Sequence, residues 1–295
     1  AQQEAERCIQ CRCTECLDAC AFLRHYKRYP RLYAREVFNN STIVMGIHGA
    51  NGLINSCSLC GQCKVVCPNG FDMSEICKVA REDMVTRGKM PPSAHDFALM
   101  DMAFSNGEDY FFARHQPGRT ESSYALFPGC QMGASMPDMV QRVYEDLTQR
   151  LEGGVGLISG CCGAIADWAG EQPLLRQELE KIRAAWQQLG EPQMITLCPS
   201  CYKTFQQADI PAVGILDVLQ QIGLPEVIPQ QSGVLAVHDA CTARFDRNLQ
   251  DNVRALAQQV GYRIEELPYS REKTHCCGYG GLTSLVNREV SAETV

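Results

Sequence analysis

Eighteen cysteines punctuate 295 residues, and their spacing leaves this chain few ways to fold. Two tight runs come first: Cys8, Cys11, Cys13, Cys16 and Cys20, then Cys57, Cys60, Cys63 and Cys67, the last followed by Pro68. From residue 130 the grammar changes to Cys130, the adjacent pair Cys161-Cys162-Gly163, and Cys198-Pro199-Ser200-Cys201. It then starts again with Cys241 and Cys276-Cys277-Gly278. No signal-peptide pattern precedes Cys8, so a reducing cytoplasm is expected. Disulfides do not persist there, and dense thiol motifs bind metal instead. Two spacings imply two kinds of metal centre on one chain, with an electron path as the leading expectation.

Composition narrows the partners. A net charge of −7 and an isoelectric point near 5.4 argue against nucleic acid and against a polybasic membrane anchor. No apolar run approaches the roughly 18 residues of a spanning helix. Contact with the inner face of a membrane is therefore expected only through partners.

Two segments read as punctuation, 89–93 and 115–120. Ahead of the second, Tyr33 to Asn39 and Ser74 to Val85 place apolar residues at helical spacing, and Ser93 can cap a helix through Phe97 and Met100. After residue 120 the pattern becomes strand, loop, helix. Expected strands are Ser123 to Phe127, Val155 to Ile158, Gln193 to Leu197, Val234 to Val237 and Tyr262 to Leu267. Expected helices start at Pro137, with Met139, Val143, Leu147 and Leu151 on one stripe, and cover Leu174 to Leu189 and Asn248 to Val260. Each cysteine motif follows a strand, at the sheet edge where ligands collect in open α/β folds. The units also recur: Cys241 lies 111 residues after Cys130, and Cys276 lies 115 after Cys161. The expected class is α+β overall, with a mainly helical domain at 1–118 and duplicated α/β domains at 119–232 and 233–295.

Cys57-x2-Cys60-x2-Cys63-x3-Cys67-Pro68 is the bacterial ferredoxin spacing for a [4Fe–4S] cluster, in which the fourth cysteine serves the other cluster of a pair. The first run is irregular. Cys8, Cys11, Cys16 and Cys20 fit if two extra residues separate the second and third ligands, which leaves Cys13 spare; Cys13-x2-Cys16-x3-Cys20 is the alternative. Crossing then predicts one cluster on Cys8, Cys11, Cys16 and Cys67 and another on Cys57, Cys60, Cys63 and Cys20. A zinc site needs only four thiolates, but it does not account for a second run. Cys77, on an expected helix, reads as a buried structural thiol.

Adjacent cysteines cannot easily bind one iron of a cube, because their side chains diverge; they suit irons offset from one another. Here the chain resembles the cysteine-rich Cys-Cys-Gly family, which includes the catalytic subunit of heterodisulfide reductase and iron–sulfur subunits of glycerol-3-phosphate and lactate oxidation. The first part resembles the two-cluster electron-transfer subunit, fused ahead of the Cys-Cys-Gly part. The resemblance implies a noncubane [4Fe–4S] cluster on Cys130, Cys161, Cys162, Cys198 and Cys201, which is also the best candidate for any direct catalysis. A zinc site or a redox-active pair at Cys161-Cys162 are the competing readings. In the second copy Cys241, Cys276 and Cys277 match as metal residues. The closing Cys-x2-Cys would begin 36 residues after Cys277, near position 313, past Val295. This copy therefore reads as truncated, with His238, Asp239 or His275 as stand-in ligands, and a second noncubane cluster is only a possibility.

Three functions follow from these readings. The first is an electron-transferring iron–sulfur subunit of a larger oxidoreductase complex, fed by a flavin- or ferredoxin-containing partner and delivering to a disulfide, quinone or second cofactor. The second is a disulfide reductase acting at the Cys-Cys-Gly cluster, and the third a zinc-bound scaffold. Gly278-Tyr279-Gly280-Gly281 lacks nucleotide-binding spacing, so NAD or FAD is expected on a partner.

Overall fold

A computed structural model describes residues 11, 13–43, 47–92, 94–225 and 231–294. Cys8 and Ser93 lie outside the described residues. The chain divides into two units: Ala1–Ala98 with Ile165–Gln172 and Glu272–Val295, and Leu99–Ala164 with Pro173–Arg271.

The first unit is helical. Its helices include Glu15–Ala19, Ala21–Tyr26, Pro30–Thr42, Asn51–Asn55, Gln62–Val66, Met73–Thr86 and Arg288–Thr294. The expected helices around Tyr33 and Ser74 are present and longer than the sequence suggested. Pro30 supplies the first turn of one, while the Asp72 carboxylate caps the other by accepting from the Ser74 and Glu75 N–H groups. Phe22, Leu23, Tyr33, Val37, Ile54, Met73 and Met84 form the core together with Cys16, Cys57, Cys63 and Cys77. The thiols are thus part of the packing and do not sit in a surface loop.

Arg81 is fully buried within this core. Its guanidinium donates to Ile54 O (3.0 and 3.1 Å), Cys57 O (2.7 Å), Trp168 O (2.7 Å) and Gly281 O (2.9 Å). One side chain therefore ties three segments distant in sequence, including the loop that carries Cys57. Among the described residues no carboxylate pairs with it. Burial pushes its pKa down, and the neighbouring Cys57 and Cys77 sulfurs oppose that shift.

The second unit carries a five-stranded sheet in the order β1-β3-β2-β4-β5, with β1 Phe112–Arg114, β2 Tyr124–Phe127, β3 Val155–Ser159, β4 Gln193–Thr196 and β5 Ala212–Gly214. β2 pairs parallel with β3 and β4, with Tyr124 opposite Val155 on one side and Gln193 on the other; β4 pairs parallel with β5. β1 runs antiparallel at the edge, Phe112 opposite Ser159. Ala125, Leu126 and Phe127 are fully buried, as expected for a central parallel strand covered on both faces. The Pro137–Arg150 helix packs Val140, Val143 and Leu147 against Leu126, Val155 and Ile195. A separate parallel pair, β6 Val234–Ala236 and β7 Arg263–Glu265, flanks the Arg247–Val260 helix, so the strand-loop-helix unit recurs. The sequence reading left β1, β5 and the Ile215–Ile222 helix unassigned. Two strands of three residues are too short to show a period.

Two outcomes follow. Arg81→Met should lower unfolding stability by on the order of 4 kcal/mol, because four buried carbonyls lose a charged donor; a urea midpoint within error of the parent would contradict the tie. His95 is buried with neither ring nitrogen hydrogen-bonded among the described residues, and burial first, Arg81 second, lower its pKa to about 4. An unfolded chain binds that proton near pH 6.5, so stability contributed above that pH is lost as pH falls toward 4. Between pH 7 and 5.5 the loss should be about 1 kcal/mol. His95→Phe should flatten this part of the pH profile, measured by chemical unfolding.

Candidate metal centres

In the first unit, Cys20, Cys57, Cys60 and Cys63 line one cavity with Met73, Ser74, His275 and Cys276. The Gln62–Val66 helix begins after Gly61 and places Cys63 in its first turn, while Cys20 joins two short helices in extended conformation. Cys63 is pushed up to about 12, by burial first and then by Cys57 and Cys20. Cys20 is likewise pushed up to about 12, chiefly by burial, with Cys57 and Cys276 adding repulsion. Cys57 lies well above the ordinary thiol range because it hydrogen-bonds Cys77 and is buried; Cys60 does so because it hydrogen-bonds Cys276 and is buried.

A second thiol group surrounds Cys16. Burial first, then Cys67, Cys63, Cys13 and Cys11, push its pKa up to about 11. The two runs therefore interleave: Cys20 of the first meets the Cys57 to Cys63 group, and Cys67 of the second meets Cys16. Cys13 is exposed and Cys77 fully buried.

In the second unit the loops after β2, β3 and β4 bring Cys130, Cys161, Cys162, Cys198 and Cys201 to the same end of the sheet. They form an unbroken chain. Cys130 and Cys161 Sγ are 3.6 Å apart, Cys161 hydrogen-bonds Cys162, Cys162 meets Cys201, and Cys201 meets Cys198. Cys161, Cys162 and Cys201 are buried. Contacts with Cys161 and Cys201 hold Cys162 well below the usual thiol range, and contact with Cys201 lowers Cys198 to about 6. Cys161 and Cys201 are held far above it. Cys198 caps the Pro199–Gln207 helix, and N–H groups of Ser200 and Cys201 also favour its thiolate. Gly129, at φ +78°, is required here: a Cβ would sit 2.9 Å from Cys201 Sγ.

Cys241 belongs to the second unit, and Cys276 and Cys277 to the first. Cys276 is buried and Cys277 exposed. Both Asp239 oxygens are engaged by Arg254 (2.8 and 3.0 Å), and Oδ2 also accepts from the Arg271 N–H (2.6 Å). That carboxylate is committed to an ion pair. Sequence reasoning missed Arg81, Thr204, which hydrogen-bonds Cys162, and Asn106, which grips Cys161. None stands in a recognisable motif; only Gly129, beside Pro128 and Cys130, carried a signal.

The donor sets suit iron–sulfur clusters. All three groups are sulfur-rich, and clustered thiolates are unfavourable together until a cation neutralises them. Arg81, positive, buried and, among the described residues, bonded to carbonyls, suits a neighbouring centre of net negative charge.

Comparison with known proteins agrees with this picture. Residues 7–72 match the 4Fe-4S dicluster domain, and residues 124–206 and 235–295 match the Cysteine-rich domain. The chain is 24% identical to an EtfAB:quinone oxidoreductase of Syntrophomonas wolfei subsp. wolfei, across 76% of this chain and 36% of that protein. It thus spans about a third of that relative's length. No solved structure matches. Among the described residues no helix is long and apolar enough to cross a membrane. The chain carries a 4Fe-4S dicluster domain followed by a duplicated cysteine-rich domain, the organisation of heterodisulfide reductase-like iron–sulfur proteins.

Proposed function

We propose that this chain is the iron–sulfur electron-transfer subunit of a larger oxidoreductase complex, with two [4Fe–4S] clusters in its dicluster domain and a noncubane [4Fe–4S] cluster in its first cysteine-rich domain. The convergence of five thiols into one hydrogen-bonded chain at a sheet edge carries the reading. Cys8, Cys11, Cys16 and Cys67 would hold one cubane, and Cys20, Cys57, Cys60 and Cys63 the other. Cys130, Cys161, Cys162, Cys198 and Cys201 would hold the third centre. When bound, the clusters supply one-electron carriers whose potentials respond to net charge, hydrogen bonds to sulfur and solvent access.

The chain's own residues do the positioning. The core packs Cys57 and Cys63 among apolar side chains, which excludes water from their site. Arg81 fixes the carbonyl of Cys57, and its charge offsets the thiolates. The Pro199–Gln207 helix turns its first N–H groups toward Cys198. The name of the Syntrophomonas relative includes a quinone; for this chain, a flavin- or ferredoxin-containing donor and a quinone or disulfide acceptor on partner subunits follow as proposals. Domains at 1–118, 119–232 and 233–295 and a cytoplasmic location belong to the same reading.

Anaerobically purified protein should contain three four-iron centres, about twelve irons per chain. Cys162→Ser should remove about four of them together with one electron paramagnetic resonance signal, leaving the other two centres. Substantial zinc with little iron would contradict the reading. Cys77→Ala should instead keep all the iron and cost about 1–2 kcal/mol of stability for a lost buried sulfur; loss of a cluster would make Cys77 a ligand.

A further inference from the structure

Asn106 follows the Asp96–Ser105 helix and lies outside all three regions that match known domains, yet its side chain is bound to the Cys-Cys-Gly loop. Its Oδ1 accepts from the Cys161 N–H at 2.6 Å. Its Nδ2 donates to the Cys161 carbonyl at 3.0 Å and to Glu178 Oε2 at 2.7 Å. The amide can point only one way, since the Cys161 N–H can only donate and the Glu178 carboxylate can only accept. Glu178 is buried and is held in turn by Lys181 Nζ at 2.8 and 3.1 Å. Gly160, at φ +150°, lets the chain press close: a Cβ there would lie 2.7 Å from the Phe111 ring and 2.8 Å from Asn106 Oδ1.

Both main-chain polar groups of Cys161 are therefore taken by one buried side chain. A peptide N–H near an iron–sulfur centre ordinarily finds sulfur. There it withdraws electron density, favours the reduced form and raises the potential. Asn106 withholds this donor.

We propose that Asn106 is a positioning residue of the Cys130–Cys161–Cys162–Cys198–Cys201 centre, fixing the main chain of Cys161 and keeping its N–H away from sulfur so that the centre's potential stays low. This rests on the function proposed above. Truncation of Asn106 leaves a buried N–H that must turn to sulfur or admit water, and either outcome raises the potential. An aspartate retains the acceptor for the Cys161 N–H, and beside buried Glu178 the two carboxyls share one proton, so net charge is unchanged and the potential does not rise above the parent value.

The test is a potentiometric titration, followed by electron paramagnetic resonance, of the anaerobically purified full chain and of Asn106→Ala and Asn106→Asp. In Asn106→Ala the midpoint of the Cys-Cys-Gly signal should rise by at least 59 mV, a tenfold fall in its oxidised-to-reduced ratio at a fixed potential for one electron. Iron content and the two dicluster signals should stay unchanged. Asn106→Asp should not move up. An unmoved signal in Asn106→Ala, or an upward shift in both variants, overturns the proposal. If Asn106→Ala does not fold, Asn106→Asp decides: a potential above the parent refutes the withheld donor, and one at or below it supports it. Parent protein with only about eight irons and no third signal would refute the proposed centre itself. Three intact parent signals with an insensitive Asn106 would refute the clamp alone.

Discussion

Thiolates repel one another, and burial penalises each of them again. A chain that gathers five sulfurs at one sheet edge and two further groups in a helical core is unfavourable unless positive charge arrives. The local chemistry shows that tension. Cys16, Cys20 and Cys63 are driven toward the protonated state, while in the Cys-Cys-Gly group the contacts split the thiols, Cys161 and Cys201 keeping their protons and Cys162 and Cys198 favouring the thiolate. Metal binding would relieve both penalties at once and so would couple folding to cluster assembly.

Two buried polar side chains, one in each unit, hold the backbone on which the sulfurs stand. Arg81 closes the helical unit by collecting carbonyls from the Ile54, Cys57, Trp168 and Gly281 segments. Asn106 works on a smaller scale and grips the main chain of a single residue. Each acts on main chain next to a cysteine, so each places a sulfur without touching it. Neutral Asn106 and cationic Arg81 also differ in what they bring electrostatically, one withholding a donor and the other adding a charge.

Much of this was legible before any coordinates. The ferredoxin spacing marked the dicluster region, and strand-stop positions placed Cys130, Cys161 and Cys198 at one sheet edge because parallel strands put their following loops together. The Pro137 helix was readable because proline and a regular apolar stripe mark it. The edge strand Phe112–Arg114 was not, since three residues carry no period. Nor could spacing show that Cys276 lines a cavity with Cys20 and Cys60. Repeat logic grouped it with Cys241, while tertiary packing places the two cysteines in different units. Arg81 and Asn106 were illegible for another reason: an arginine in a charged helix and an asparagine after a helix are ordinary until burial is known.

The central claim is that the first Cys-Cys-Gly group holds a centre of its own kind, distinct from the dicluster pair. Mössbauer spectroscopy of the full chain, loaded with iron-57, tests it most directly. The account predicts about two thirds of the iron in cubane-type sites and about one third in a separate set of spectral components. All of the iron in cubane-type components, or a separate set that persists when Cys161 and Cys162 are both replaced by serine, would contradict it.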